Sequence, residues 1–151
     1  MTLILTYIYH FVFSFISAVT FAIVCDVPKK TLVTGGTIGA IAWCGYWTMW
    51  KNGYSVFMAS LVCSLLLANL SQICAIKFKM PLTVYFVPGL VPVVPGVTIY
   101  DAFRTLLLEE YVNSARIFLN TFYGAVGLAV GIIIADSIFR VVLSPLLNKN
   151  K

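Results

Sequence analysis

Charge is scarce in this chain. Of its 151 residues only 10% are Asp, Glu, Lys or Arg, against 61% apolar, and the mean hydropathy is +0.99. A soluble domain of this size has no interior able to hide so much apolar surface, so the bilayer must solvate it. Histidine occurs once, as His10, without a partner at metal-ligand spacing, which argues against a metal or histidine-based centre. The four cysteines, Cys25, Cys44, Cys63 and Cys74, make no CxxC pair. They read as small, reduced packing residues inside or at the ends of apolar segments. Nothing pairs a nucleophile with a base, as an enzyme site would require, and no cofactor is called for. The basic residues are scattered singly or in pairs, with no basic face, so the net charge of +5 reads as topology signal and headgroup contact rather than nucleic-acid binding. The N-terminus lacks a basic leader and a small-residue cleavage pattern, so it reads as a first span and not as a removed signal peptide.

Long uncharged runs are what the chain does have. Five windows without Asp, Glu, Lys or Arg, 1–25, 31–50, 52–76, 80–100 and 117–135, approach or exceed the roughly 20 residues that cross about 30 Å of hydrocarbon. The expected fold is an all-α integral membrane protein, a single membrane domain over 1–151. Its spans are placed at 3–24, 32–50, 55–76, 81–97 and 117–142, with an amphipathic helix over 98–113. The last span is expected to end near Ser144-Pro145. Trp47, Trp50 and Tyr54 around Lys51 form an interfacial aromatic belt, and "KNG" is a tight turn that makes spans two and three antiparallel neighbours. In 98–113, Asp101, Arg104, Thr105 and Glu109 share one face, opposite Ile99, Phe103, Leu106 and Leu107. Small residues recur at helical spacing: Gly35 and Gly39; Ser60, Ser64, Ala68 and Ser71; Gly124, Gly127 and Gly131. Such stripes let helices approach closely in lipid, either within this chain or against another subunit.

The fourth window is discontinuous. "PLTVYFVPGLVPVVPG", residues 81–96, holds four of the six prolines. Each proline inside a helix removes an amide and frees a carbonyl one turn back. An unsatisfied backbone group in hydrocarbon costs on the order of several kcal/mol, so irregular backbone persists at that depth only when buried in protein or facing a watery cavity. The candidate site is therefore Pro88, Gly89, Pro92, Pro95 and Gly96, with a new helix starting near Gly96. Its first amides suit a carboxylate, with Thr98 as cap or contact and Gly96 allowing close approach. Asp101, placed in the first turn of that helix, would neutralise an amine or carry a coupling proton; its plainer roles are completing the helix dipole or pairing with Arg104. Asn69 either hydrogen-bonds across helices or reaches the substrate. Asp136 and Arg140 have the spacing of a structural ion pair.

Orientation follows from the basic residues. If 81–97 crosses, Lys29, Lys30, Lys77, Lys79, Arg140, Lys149 and Lys151 share one side, against Lys51, Arg104 and Arg116 on the other. That split places the N-terminus outside and the C-terminus inside. A re-entrant 81–97 gives a more even split, so counting favours the crossing.

"VPGLVPVVPGVTIYDAF", then "EEYVNSAR" and the glycine-rich "GAVGLAVGII", resembles the threonine/serine exporter family, small-subunit type. The likeness runs over nearly the whole chain, and the segment from Pro88 to Gly96 is its most specific part. It implies proton-gradient-driven export of threonine, serine or a dicarboxylate such as succinate across the cytoplasmic membrane. It also implies a larger membrane partner carrying the other half of the transporter, with inverted topology. Pro88, Gly89, Pro92, Pro95, Gly96 and Tyr100 correspond to the family motif; Thr98, Asp101 and Asn69 rest on physical reasoning alone. The alternative is a membrane scaffold or assembly subunit without a substrate site.

Overall fold

The computed structural model describes residues 3–143. Ser144-Pro145, Lys149 and Lys151, and with them the expected end of the last span, lie outside the described residues. Six helices follow in order: α1 (Leu3–Val24), α2 (Lys29–Lys51), α3 (Val56–Phe78), α4 (Thr83–Leu90), α5 (Gly96–Leu107) and α6 (Tyr111–Ile138), the last continued by a π-helical turn, Phe139–Leu143. No strand occurs among the described residues. Three helical stretches are long and apolar enough to cross a membrane: Leu3–Val24, Val56–Phe78 and Tyr111–Val141. α2 has 23 residues, about 34 Å at 1.5 Å per residue, but its glycines, threonines and tryptophans make it less apolar.

Small residues set the helix order. α1 buries only Ser14, Ala18 and Ala22, a stripe at four-residue spacing that lies against α2. The Tyr7 hydroxyl lies 3.0 Å from that of Thr48, while Ala18 faces Gly39, so the two helices run antiparallel. α2 and α3 are antiparallel across the turn at Asn52 and Gly53, with Ser55 accepting the Met58 amide to cap α3. α3 and α6 are parallel. A Cβ on Gly124 would touch Val56 and Ser60, one on Gly127 would come within 2.5 Å of the Phe57 carbonyl, and one on Gly131 would lie 2.6 Å from the Leu61 carbonyl. The glycine stripe of the last span thus packs on the serine stripe of α3 within this chain.

That parallel pairing fixes the course of the residues between. α3 runs from the end of the bundle carrying Lys51 to the end carrying Lys79, and α6 starts again at the Lys51 end. Residues 80–110 must therefore return the whole way. α4 makes the first part, parallel to α2: Gly35 lies under Val84 and Tyr85, and Gly39 meets Gly89 backbone to backbone, its Cβ position 3.0 Å from the Gly89 Cα. Gly89 also lies under Leu67, so α4 ends near the middle of both α2 and α3. α5 completes the return and folds back on α6, where the Ser114 hydroxyl donates to the Ala102 carbonyl at 2.8 Å and Phe103 packs edge-on to Phe118. The core between the helices is Ile38, Ala42, Cys63, Leu67, Tyr85, Val93 and Leu128.

The structure corrects the expected helix over 98–113. α5 begins at Gly96 and stops at Leu107; Tyr111 to Asn113 already belong to α6. Glu109 takes a left-handed conformation, φ 62°, and the Glu109 and Glu110 amides donate to the Leu106 and Thr105 carbonyls. This is a Schellman termination that no glycine or proline announced.

Candidate functional site

Between Leu90 and Gly96 the chain leaves the helix. The turn's hydrogen bonds end on the carbonyls of Pro88, Leu90, Val94 and Pro95; those of Val91, Pro92 and Val93 accept none of them. α5 starts without a side-chain cap. The Gly96 amide is tied back to Val94 and that of Ile99 to Pro95, which leaves the first-turn amides of Val97 and Thr98 without an intrahelical acceptor.

A cavity of about 530 Å³ adjoins this turn, a volume within the usual range for small-molecule sites. Pro92, Val93, Val94 and Pro95 form one wall, and Val97, Thr98 and Asp101 of α5 continue it. Opposite stand Trp43, Tyr46 and Trp50 of α2; Val56 and Ser60 of α3 and Ile117, Asn120, Thr121 and Gly124 of α6 close the remainder. These are the last turns of α2 and the first of α3 and α6, so the cavity occupies the Lys51 half of the bundle. Trp43 and Tyr46 are stacked at 5.4 Å between centroids. The Trp43 indole is oriented from behind by its N–H, which donates to His10 Nδ1 at 3.3 Å. His10 therefore serves the aromatic packing of α1 on α2.

Asp101 is the acidic residue of this cavity. It is the sixth residue of α5 and not in its first turn, which removes most of its worth as a helix-dipole partner. Its expected partner Arg104 is not bound to it: the one ion pair among the described residues is Arg140–Asp136, at 2.9 Å. A half-buried carboxylate thus shares a cavity with an aromatic wall, without an ion-pair partner among the described residues.

The sequence-predicted residues separate into four groups. Pro92, Pro95, Thr98 and Asp101 meet at the cavity. Thr98 does not cap the helix; its hydroxyl donates to the Pro95 carbonyl at 2.9 Å. Pro88 and Gly89 are buried in the packing of α4 on α2 and α3, while Gly96 is exposed, with open space where its Cβ would be. Tyr100 is 66% exposed and off the cavity. Asn69 neither bridges helices nor reaches the cavity; its amide donates to Leu65 O, one turn back, at 2.8 Å. The site also draws on residues that pattern reading left out. The belt read from the sequence takes Trp47, Trp50 and Tyr54 but not Trp43 or Tyr46, and Asn120 is not among the candidate site residues. The available signal was that Asn120, Thr121 and Gly124 lie on one side of the last helix.

A family model described as Threonine/Serine exporter, ThrE, matches residues 10–138. Comparison with curated proteins returns no match, and comparison with solved structures returns none.

Proposed function

We propose a transport role on one premise: this chain belongs to the threonine/serine exporter family. The family is one of membrane transporters and not an enzyme class. The reading that best uses the geometry is one subunit of an exporter of small metabolites, driven by the proton gradient and acting with a larger membrane partner in the cell membrane. In it, α4 and α5 are two halves of one discontinuous span, the fourth of five crossings, and the break supplies the substrate site. The cavity at that break, lined by Asp101 with no ion-pair partner among the described residues, is the observation that carries this reading.

The same cavity discriminates among substrates. A free amino acid brings an ammonium to Asp101 and the aromatic faces of Trp43 and Tyr46, both of which favour a cation. Its carboxylate suits the unpaired first-turn amides of α5. A dicarboxylate such as succinate meets repulsion at Asp101 unless that group is protonated. An amino acid is therefore the substrate class the site favours, threonine or serine being the family's namesakes, and Asp101 also stands where a coupling proton would be exchanged.

The test is export of labelled threonine, serine and succinate from cells with and without the protein and its neighbouring gene product. Replacing Asp101 by Asn should lower threonine export about tenfold or more, equivalent to roughly 1.4 kcal/mol or greater, with assembly unchanged. The scaffold reading draws on Pro88 and Gly89, which serve packing. It predicts instead that Asp101→Asn exports normally and that enlarging Gly89 abolishes assembly with the partner.

A further inference from the structure

Three polar atoms are buried without a hydrogen-bond partner among the described residues: Ser71 Oγ, Gln72 Oε1 and Tyr85 Oη. Ser71 and Tyr85 are fully inaccessible and Gln72 is 6% exposed. Leaving such a group unpaired costs on the order of 1–3 kcal/mol, and buried polar atoms without partners are rare enough that each needs a reason. Three on two adjoining helices, α3 and α4, point to a common one. Tyr85 packs near the end of α3, its ring 6.3 Å from that of Phe78, so the group belongs to the Lys79 half of the bundle.

The cavity lies in the opposite half. It reaches α3 at Val56 and Ser60, and Ser71 follows Ser60 by about 16 Å along the helix axis. Between them lie Cys63, Leu67, Val93 and Leu128 of the core, together with Ser64, whose hydroxyl is satisfied by the Leu61 carbonyl at 3.0 Å. The molecule thus has an open pocket at one end, a packed plug with no stranded polar atom at its middle, and stranded polar side chains beyond the plug.

We infer that Ser71, Gln72 and Tyr85 line the Lys79-side half of the transport path, closed here and hydrated when the cavity half closes. This rests on the transport reading above. Water in the opened path would supply the partners these atoms lack, and a hydroxyl-bearing amino acid would pass along hydroxyl and amide groups of matching chemistry. The plug opens at the α4–α5 turn, because Val93 belongs to both the plug and the irregular segment.

Two measurements test this on the full chain with its partner. Tyr85→Phe and Gln72→Met remove the stranded atoms at near-constant volume. A plain core imperfection should then export threonine at the original rate with equal or higher thermal stability, which would overturn the inference. The expected result is equal or higher stability together with at least tenfold slower export. Separately, the thiol introduced by Ser71→Cys should react with an impermeant maleimide from the Lys79 side, faster when threonine is present, located by peptide mass spectrometry. A thiol never reached from that side, while one introduced by Thr98→Cys is reached from the other, overturns the inference even if the Tyr85 variant proves unstable. Should threonine export itself be absent, the transport reading fails; should export persist with the Ser71 thiol unreached, only this inference fails.

Discussion

Gly127 and Gly96 look alike in the sequence and do opposite things in the structure. A Cβ on Gly127 would press into the Phe57 carbonyl and lie 3.1 Å from the Ser60 Cβ; backbone cannot move aside as a flexible side chain can. Gly127→Ala should therefore force α3 and α6 apart and cost about 1–3 kcal/mol, the usual range for an overpacked contact. Gly96 has nothing within 4 Å of where its Cβ would be. Gly96→Ala should leave thermal stability unchanged or slightly raised, since alanine favours helix by roughly 1 kcal/mol over glycine. Thermal unfolding of the two purified variants in detergent checks both signs. The glycine stripes were legible from spacing alone, but their roles were not. Spacing says that a backbone comes close; only the fold says whose backbone it is.

The helices share one way of stopping. α1, α2, α3 and α5 each end on a left-handed residue, Asp26, Gly53, Lys79 and Glu109, with paired amide-to-carbonyl bonds closing the last turn. Only Gly53 adopts that conformation without steric cost; for the others it amounts to roughly 1–2 kcal/mol per residue. Glu109→Gly should relieve this strain, offset in part by the greater freedom of glycine in the unfolded chain. The expected gain is up to about 1 kcal/mol, read as a small rise in the unfolding temperature with the α5–α6 turn intact. Lys79→Gly would remove a topological charge as well, so Glu109 is the cleaner position. The same residue explains why the helix over 98–113 was misjudged. Its apolar and polar faces continue smoothly past Leu107, and the reversal comes from the docking of Phe103 on Phe118 and of Ser114 on the Ala102 carbonyl, contacts between elements that local pattern does not encode. The chain is irregular between Leu90 and Gly96, where proline's missing amide and fixed φ act on the backbone directly.

At the scale of the whole molecule, the parallel packing of α3 on α6 and the distribution of basic residues are independent observations that meet. Packing requires residues 80–110 to return from the Lys79 end to the Lys51 end. Among the described residues, that geometry gathers Lys29, Lys30, Lys77, Lys79 and Arg140 at one end, and Lys51, Arg104 and Arg116 toward the other. It is the same division that charge counting gives when 81–97 crosses, and on the transport reading proposed above the excess would lie at the cytoplasmic end. The contacts between Gly124 and Val56 and between Gly131 and Leu61 keep the start of α6, and with it Glu110, at the end of the bundle away from Lys79. The native thiol of Cys25 is exposed at the Lys29 end, and Asn52 and Glu110 are exposed at the other. An impermeant maleimide added to intact cells should thus label Asn52→Cys and Glu110→Cys but leave Cys25 unmodified until the cells are permeabilised. Labelling of Cys25 alone would reverse the orientation and make the pocket beside Asp101 open to the cytoplasm. Labelling of Asn52→Cys without Glu110→Cys would mean that α4 and α5 do not together cross. The break at Pro92 would then lose its place between two aqueous sides, and with it the reason for a substrate to pass there.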